Sequence, residues 1–311
     1  MPNPFGSFSY LCEFSRSMRY EFRPVTACNM CGSADFSMLG LRLSASQGLD
    51  PRHAEGVAVP VKRCRSCGLI FADPQPIPSE LTDHYGLPPE DYWADASHWT
   101  WSPDYFATEI AEAKQLLDFR PGMTALDIGV GLGKAMRSLD HAGFDTWGIE
   151  PIAPFRDKAI EMMALDPGRI LLFTAEDAAF DENFFDFISF GAVLEHLYDP
   201  SAALGRAMAW LKPGGIIQAE VPSADYLLSK LANLYFRLRG TNYVTHISPM
   251  HPPFHLYEFT PRSFARFNLV RHRYEVGSIR RLPRALHLPL RWLMGKTGRG
   301  MQLTVYLRKP A

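Results

Sequence analysis

The sequence predicts an open, doubly wound α/β sheet preceded by a small cysteine-bearing module. Three observations predict it. Strand-like and helix-like periodicities alternate from Pro121 to Val221, glycine and acidic residues follow the strand-like runs, and two C-x-x-C pairs stand ahead of that region.

Composition supports a globular chain. Of 311 residues, 47% are apolar and 21% charged, which excludes a disordered tail, a collagen and a coiled coil. The length suits one large domain with a smaller companion. A net charge of −1 gives no overall basicity of the kind that points to nucleic acid. No apolar run reaches the ~18–20 residues that span a bilayer, and Met1 to Tyr20 lacks the apolar core of a secretory signal. The expectation is a cytoplasmic protein without a transmembrane segment.

After an extension over 1–22, the module is expected over 23–78. Cys28 and Cys31 form one pair and Cys64 and Cys67 the other, each followed by glycine (Gly32, Gly68). A C-x-x-C turn puts two sulfurs on one side of a tight loop, and two such turns supply four thiolates for a tetrahedral zinc. The glycines permit the left-handed backbone such turns tend to need. Arg63 and Arg65 can offset the −2 charge of a zinc held by four thiolates. Two disulfides or a redox pair are the alternatives, and a reducing compartment disfavours the first. Four sulfurs leave no open position, so the zinc is expected to be structural. Cys12 lies outside the pattern and reads as a small apolar residue.

A proline-rich connector, Asp73 to Pro78, leads to a linker and first helix over 79–120. The linker is aromatic (Tyr85, Tyr92, Trp93, Trp99, Trp101) and reads either as a packed hinge or as a lid over a ligand pocket.

Over 121–311 the elements come in order. Thr124 to Gly129 is a first buried strand, with a helix from about Gly133 to His141. Thr146 to Glu150 is a second strand, and a proline-opened helix covers Pro154 to Ala164. Ile170 to Phe173 and Phe185 to Phe190 are the third and fourth strands. The helix over Pro200 to Leu211 stops at Lys212-Pro213-Gly214-Gly215, and Ile216 to Val221 is a fifth strand. In such a sheet ligands bind beyond the C-terminal strand ends. There stand Asp127, Gly129, Val130, Gly131 and Gly133, and Glu150 follows Gly129 by twenty-one residues. Glycines admit a ligand close to the backbone, and a carboxylate at the second strand tip can take both ribose hydroxyls. A nicotinamide or flavin enzyme carries nearly the same arrangement. Against a dinucleotide, Lys134 replaces the third fingerprint glycine, and Asp127 would repel a pyrophosphate.

The region resembles the class I S-adenosylmethionine-dependent methyltransferases. The resemblance is carried by Leu126 to Gly133, Gly148 to Pro151, Thr174 to Asp177, Phe185-Asp186, Val193 to His196, Leu211 to Gly215 and Glu220 to Pro222, in the family's order and at its spacings. His251 to Pro261 looks like the family's segment between the fifth strand and the last helix, and Met301 to Leu307 like its final strand. The resemblance implies a mostly parallel sheet of seven strands and S-adenosyl-L-methionine as cofactor. It places Gly129, Val130 and Gly131 against the methionine and ribose, Asp127 at the amino group and Glu150 at the ribose. Ile152 would pack on adenine, with Thr174, Ala175 and Glu176 around its edge, and Phe190 and Gly191 beside the sulfonium. The paired cysteines are similar to a module ahead of some bacterial methyltransferases, several acting on sugars or other biosynthetic intermediates.

Methyl transfer needs alignment above all, and a base only where the acceptor must lose a proton. His196, oriented by Glu195, is one candidate base; the other reading has this pair opening the next helix and organising its loop. His251 and His255 are further candidates, or loop histidines. From Arg262 onward twelve Lys and Arg face a single acid, Glu275. That end reads as a solvated face pairing with the acidic body, or as a surface for an anionic partner such as a nucleotide-linked substrate or a lipid head group. Tyr226 to Leu238 is an amphipathic helix that packs in the core, caps a pocket or docks at an interface.

The expected function is methyl transfer to a small-molecule acceptor, with a saccharide or nucleotide-sugar favoured. The alternatives are a non-catalytic scaffold that retains the fold, and a nicotinamide-dependent oxidoreductase. Nucleic acid is not an expected partner, since Gly191-Ala192-Val193-Leu194 stands where an Asn-Pro-Pro-aromatic type signature would follow the fourth strand.

Overall fold

The computed structural model describes residues 20–44, 56–79, 89, 99–277 and 283–311. Cys12, Tyr85, Tyr92 and Trp93 lie outside the described residues.

The chain opens with β1 (Tyr20–Arg23), β2 (Phe36–Leu43), β3 (Ala58–Cys64), β4 (Ile70–Ala72) and β5 (Gln75–Pro78). Then come α1 (Ala107–Leu117), β6 (Thr124–Ile128), α2 (Lys134–His141), β7 (Asp145–Ile149), α3 (Ala153–Met163) and β8 (Ile170–Leu171). Next are β9 (Phe185–Gly191), α4 (Pro200–Trp210), β10 (Leu211–Pro222) and α5 (Leu227–Leu238). The chain closes with β11 (Tyr257–Glu258), β12 (Leu269–Glu275), α6 (Arg284–Thr297) and β13 (Gln302–Arg308). Contacts divide it into two compact units.

One unit comprises Gly86–Val221, Phe264–Arg273 and Leu303–Ala311. Its seven-stranded sheet has the order β12-β13-β10-β9-β6-β7-β8, and the pairs from β10 to β8 are parallel. This is the doubly wound sheet the periodicity predicts. Local chemistry fixes its elements. Pro154 opens α3, and the Asp199 carboxylate caps α4 by accepting from Ala202 N at 2.9 Å. Asp186 ties three segments together: its Oδ2 accepts from Thr124 N at 2.8 Å and from Lys212 Nζ at 2.8 Å. One sheet face packs Ala125, Phe187 and Ile216 with Ile110 and Ala113 of α1, Leu139 of α2 and Tyr306 of β13. The third strand ends at Leu171, two residues early, because Leu172 and Phe173 turn out to solvent.

The other unit comprises Met1–Tyr85, Pro222–Ser263 and Tyr274–Gln302. Its four-stranded sheet has the order β11-β4-β3-β2, and β1 pairs with β5. A short cysteine module buries too little surface to stand alone. Here Val57, Val59, Val61, Ile70 and Ala72 share a core with Ala224, Val244, Ile247 and Met250, more than a hundred and fifty residues further on. Gly40 makes this possible: a Cβ there would sit 2.2 Å from Asn242 O, so only glycine lets that backbone approach β2. The segment around His251 to Pro261 therefore supplies β11 to this sheet, and a run of 3-10 turns over Pro261–Phe267 succeeds it.

Candidate functional site

In the seven-stranded sheet, β6 lies between β7 and β9, so the strand order reverses at its tip. A ligand crevice is expected there, and a cavity of about 230 Å³ occupies that place. Asp127, Gly129, Val130 and Gly131 form one wall, and Gly191 and Ala192 another. Gly129 and Gly131 have φ of +75° and +53°, and even Ala192 is left-handed at +56°. A Cβ added at Gly191 would meet nothing within 4 Å, so the glycine leaves room that a ligand can fill.

Charge on the walls is mainly negative. Asp127 is fully buried, and burial, with Glu150 nearby, pushes its carboxyl up to about 7. Ser189 Oγ donates to Asp127 Oδ1 at 2.7 Å. Glu220 is on the wall as well. Burial, then the Asp127 and Glu220 carboxylates, raise the Tyr105 phenol to about 12. Lys134 is the cationic side chain among the described wall residues, its Nζ 5.1 Å from the Tyr105 ring centre. Glu150 stands behind the wall and holds it: its Oε2 accepts from Gly131 N at 2.9 Å and its Oε1 from Ile152 N at 3.0 Å. Burial raises its pKa too.

The remaining candidates lie elsewhere in this unit. Gly133 caps α2, and a Cβ there would meet Leu165 and Ala159, so it serves helix packing. Phe190 is fully buried in β9. Ile152 precedes α3, while Thr174, Ala175 and Glu176 come after β8, with Thr174 Oγ1 donating to Asp177 at 2.7 Å. None of these is among the cavity walls. Glu195 and His196 sit in a turn ahead of α4, not at its start, with His196 N bonded to Val193 O. Their ligand atoms lie within 4.8 Å of each other. Burial, then the nearby Glu220, lift the Glu195 carboxyl to about 8, so it is largely protonated at neutral pH.

Sequence reasoning missed Tyr105, Phe106, Lys134 and Glu220 as wall residues. Tyr105 and Phe106 continue the aromatic series that hinted at a lid. It also missed a polar row across three strands. Asp127 pairs in register with Ser189, and Ser189 with Gln218. Gln218 is fully buried, and neither atom of its amide has a partner among the described residues.

His255 belongs to the other unit, where burial lowers its pKa to about 4. A polar cluster lies in the same unit: His246 Nδ1 is 2.5 Å from Glu258 Oε2, and Arg42 Nη2 is 3.2 Å from His251 Nε2.

That unit also gathers Cys28, Cys31, Cys64 and Cys67, with their sulfurs all within 4.8 Å of one another. Cys28 Sγ lies 3.6 Å from Cys67 Sγ, and Cys31 Sγ 3.6 Å from Cys64 Sγ. Zinc–sulfur bonds of ≈ 2.3 Å in a tetrahedron put sulfurs about 3.8 Å apart, so the cluster has the size of a four-thiolate site. Gly32 and Gly68 are left-handed, at φ +77° and +84°, and their N–H groups bond back to Cys28 O and Cys64 O.

Comparison with known proteins gives three kinds of match. A family model described as a methyltransferase domain matches residues 101–274, more than half of the chain. Phosphoethanolamine N-methyltransferase 2 of Caenorhabditis elegans is 30% identical over 130 residues, 39% of this chain and 30% of that protein. Ubiquinone biosynthesis O-methyltransferase of Paramagnetospirillum magneticum is 33% identical over 116 residues, 36% of this chain and 45% of that one. The chain thus spans less than half the length of these curated relatives. Among solved structures, a SAM-dependent methyltransferase from Methanosarcina mazei aligns at 20% identity and a TM-score of 0.44, covering 62% of this chain and 94% of that one.

Proposed function

The chain belongs to the methyltransferase-domain family, and from that premise we propose that it binds S-adenosylmethionine in the β6–β9 crevice and methylates a small molecule. The charge of the crevice carries this reading. The cofactor bears an ammonium and a sulfonium against one carboxylate, and the walls offer Asp127 and Glu220 against Lys134. A dinucleotide would bring two phosphates to the same carboxylates.

The cofactor supplies an activated methyl group, and the protein's work is to hold both reactants in line. Asp127, kept in place by Ser189, receives the ammonium, whose arrival favours its ionised form. Lys134 receives the carboxylate. Glu150 fixes the glycine turn through Gly131 N and keeps lone pairs for the ribose hydroxyls. Ile152 and the Thr174-Ala175-Glu176 turn bound the adenine, and Gly191 leaves space beside the sulfonium. His196 takes the acceptor's proton, with Glu195 orienting it and His255 as a further candidate for the base. The cysteine cluster holds a structural zinc: four thiolates complete its sphere and leave nothing open for chemistry. Likeness of the cysteine module to those ahead of certain bacterial methyltransferases favours a saccharide or nucleotide-sugar acceptor.

Calorimetry tests the site. The wild type should bind S-adenosylmethionine in the micromolar range, and Gly131→Val and Glu150→Ala should each weaken it by roughly tenfold or more. Equal affinity in all three proteins, or tighter binding of a nicotinamide dinucleotide, would remove the assignment. Release of S-adenosylhomocysteine across a panel of sugars, quinones and lipids then identifies the acceptor class.

A further inference from the structure

The basic end of the chain divides into two kinds of surface. In the sheet-bearing unit its cations are engaged within the fold: Arg273 pairs with Glu109 and Glu112, Arg308 donates to Leu116 O, and Lys309 to Leu211 O. In the cysteine-bearing unit they stand on a surface of another character. There α5 and α6 meet end to end, with Leu227 N bonded to Arg299 O at 3.2 Å. The inner face of α5 is anchored by Leu227, Asn233 and Phe236. Its outer face shows Leu231, Leu234, Tyr235 and Leu238, spaced i, i+3, i+4 and i+7, with Leu238 78% exposed. On α6, Leu288 is 71% and Trp292 65% exposed, and among that helix's described side chains only Met294 is buried. Helical periodicity that normally points to a core here faces water.

The two helices themselves carry charges of one sign; at their junction Asp225 is paired with Lys230 and Arg63, and Glu275 lies beside Gly300. Neither helix contains an acidic residue, while Arg237 and Arg239 flank the α5 stripe and Arg291, Lys296 and Arg299 the α6 face, all exposed. A second copy related by a two-fold axis would set this basic surface on itself. An acidic protein would need pockets to receive protruding side chains such as Leu238 and Leu288, whereas a bilayer accepts them without shape complementarity. Leucine and tryptophan rimmed by lysine and arginine is the composition of helices that lie in a membrane interface.

We propose that the exposed faces of α5 and α6 dock this protein onto an anionic lipid surface, the leucines and Trp292 entering the headgroup boundary and the arginines meeting the headgroups.

The test is flotation of the 311-residue chain with vesicles of phosphatidylcholine alone or with about one-third phosphatidylglycerol. Binding should require the anionic lipid and weaken with salt. The double variant Leu234→Glu/Leu238→Glu should lose roughly tenfold or more in partitioning. Both positions are exposed, so its melting temperature should match the wild type. A blue shift in tryptophan emission on vesicle binding should shrink in Trp292→Phe. Absence of binding to anionic vesicles at low salt, or undiminished binding by the double variant, overturns the proposal. So does a wild-type dimer in light scattering that the double variant converts to monomer, which would assign the face to a second copy.

Discussion

Asp127 shows how one buried carboxyl makes folding depend on pH. In the unfolded chain it ionises near pH 4, and in the fold only near 7. Between those values the folded chain holds the extra proton, so stability falls as pH rises through this window. Glu195, raised to about 8, acts in the same direction. Asp127→Asn keeps an acceptor for Ser189 Oγ and removes the charge. It should therefore be more stable than the wild type at pH 8, by roughly 2–4 kcal/mol, while losing affinity for a cationic ligand. Urea unfolding at pH 5 and pH 8 measures this, and equal pH slopes in the two proteins would show that Asp127 is not the buried proton carrier. The residue was legible in the sequence because it stands two positions before the first of the glycines. Its partner Ser189, and Gln218 beside Ser189 in register, were not, since lateral register between strands leaves no mark in a linear pattern.

At the scale of elements, the sequence located β6, β7, β9 and the helices between them to within a residue or two. Their apolar runs are short, buried and bounded by Gly, Pro or Asp. Lys134 shows the limit of motif arithmetic. It does occupy the third fingerprint position, yet its side chain lines the cavity, and the close helix packing is done one residue earlier. Gly133 has φ +80°, and an added Cβ would stand 2.8 Å from Leu165 Cδ1 and 3.0 Å from Ala159 Cβ. Gly133→Ala should thus cost about 2–4 kcal/mol in denaturant unfolding, from the left-handed backbone and overpacking together. Binding by the folded protein should change little, because this position is not on the cavity wall. A variant as stable as the wild type would show that α2 and α3 can part to admit a methyl group at no cost. Tyr105 escaped notice because it lies in a turn before α1, and Glu220, though part of a matching motif, because a strand's sequence does not say which of its side chains faces the crevice.

For the whole molecule, the proposed zinc ties the strand ends of a small sheet that has little core of its own. Purified protein should carry close to one zinc per chain by elemental analysis. Cys64→Ser should lose the metal and lower the melting temperature, as should a strong chelator. A metal-free wild type with unchanged stability would leave the four thiols as a mere cluster. Cysteine spacing announced this site, but not the identity of its supporting residues. Nothing local in Ala224, Val244 or Ile247 says that they pack beneath β3.

That interleaving bears on how the chain is made. During synthesis Cys64 leaves the ribosome well over a hundred residues before Val244 and Ile247, so the thiols wait, open to oxidants and to competing metals, until the residues that complete the core of their sheet arrive. Early capture of zinc would shield them, giving the ion a part in the birth of the protein as well as in its mature stability.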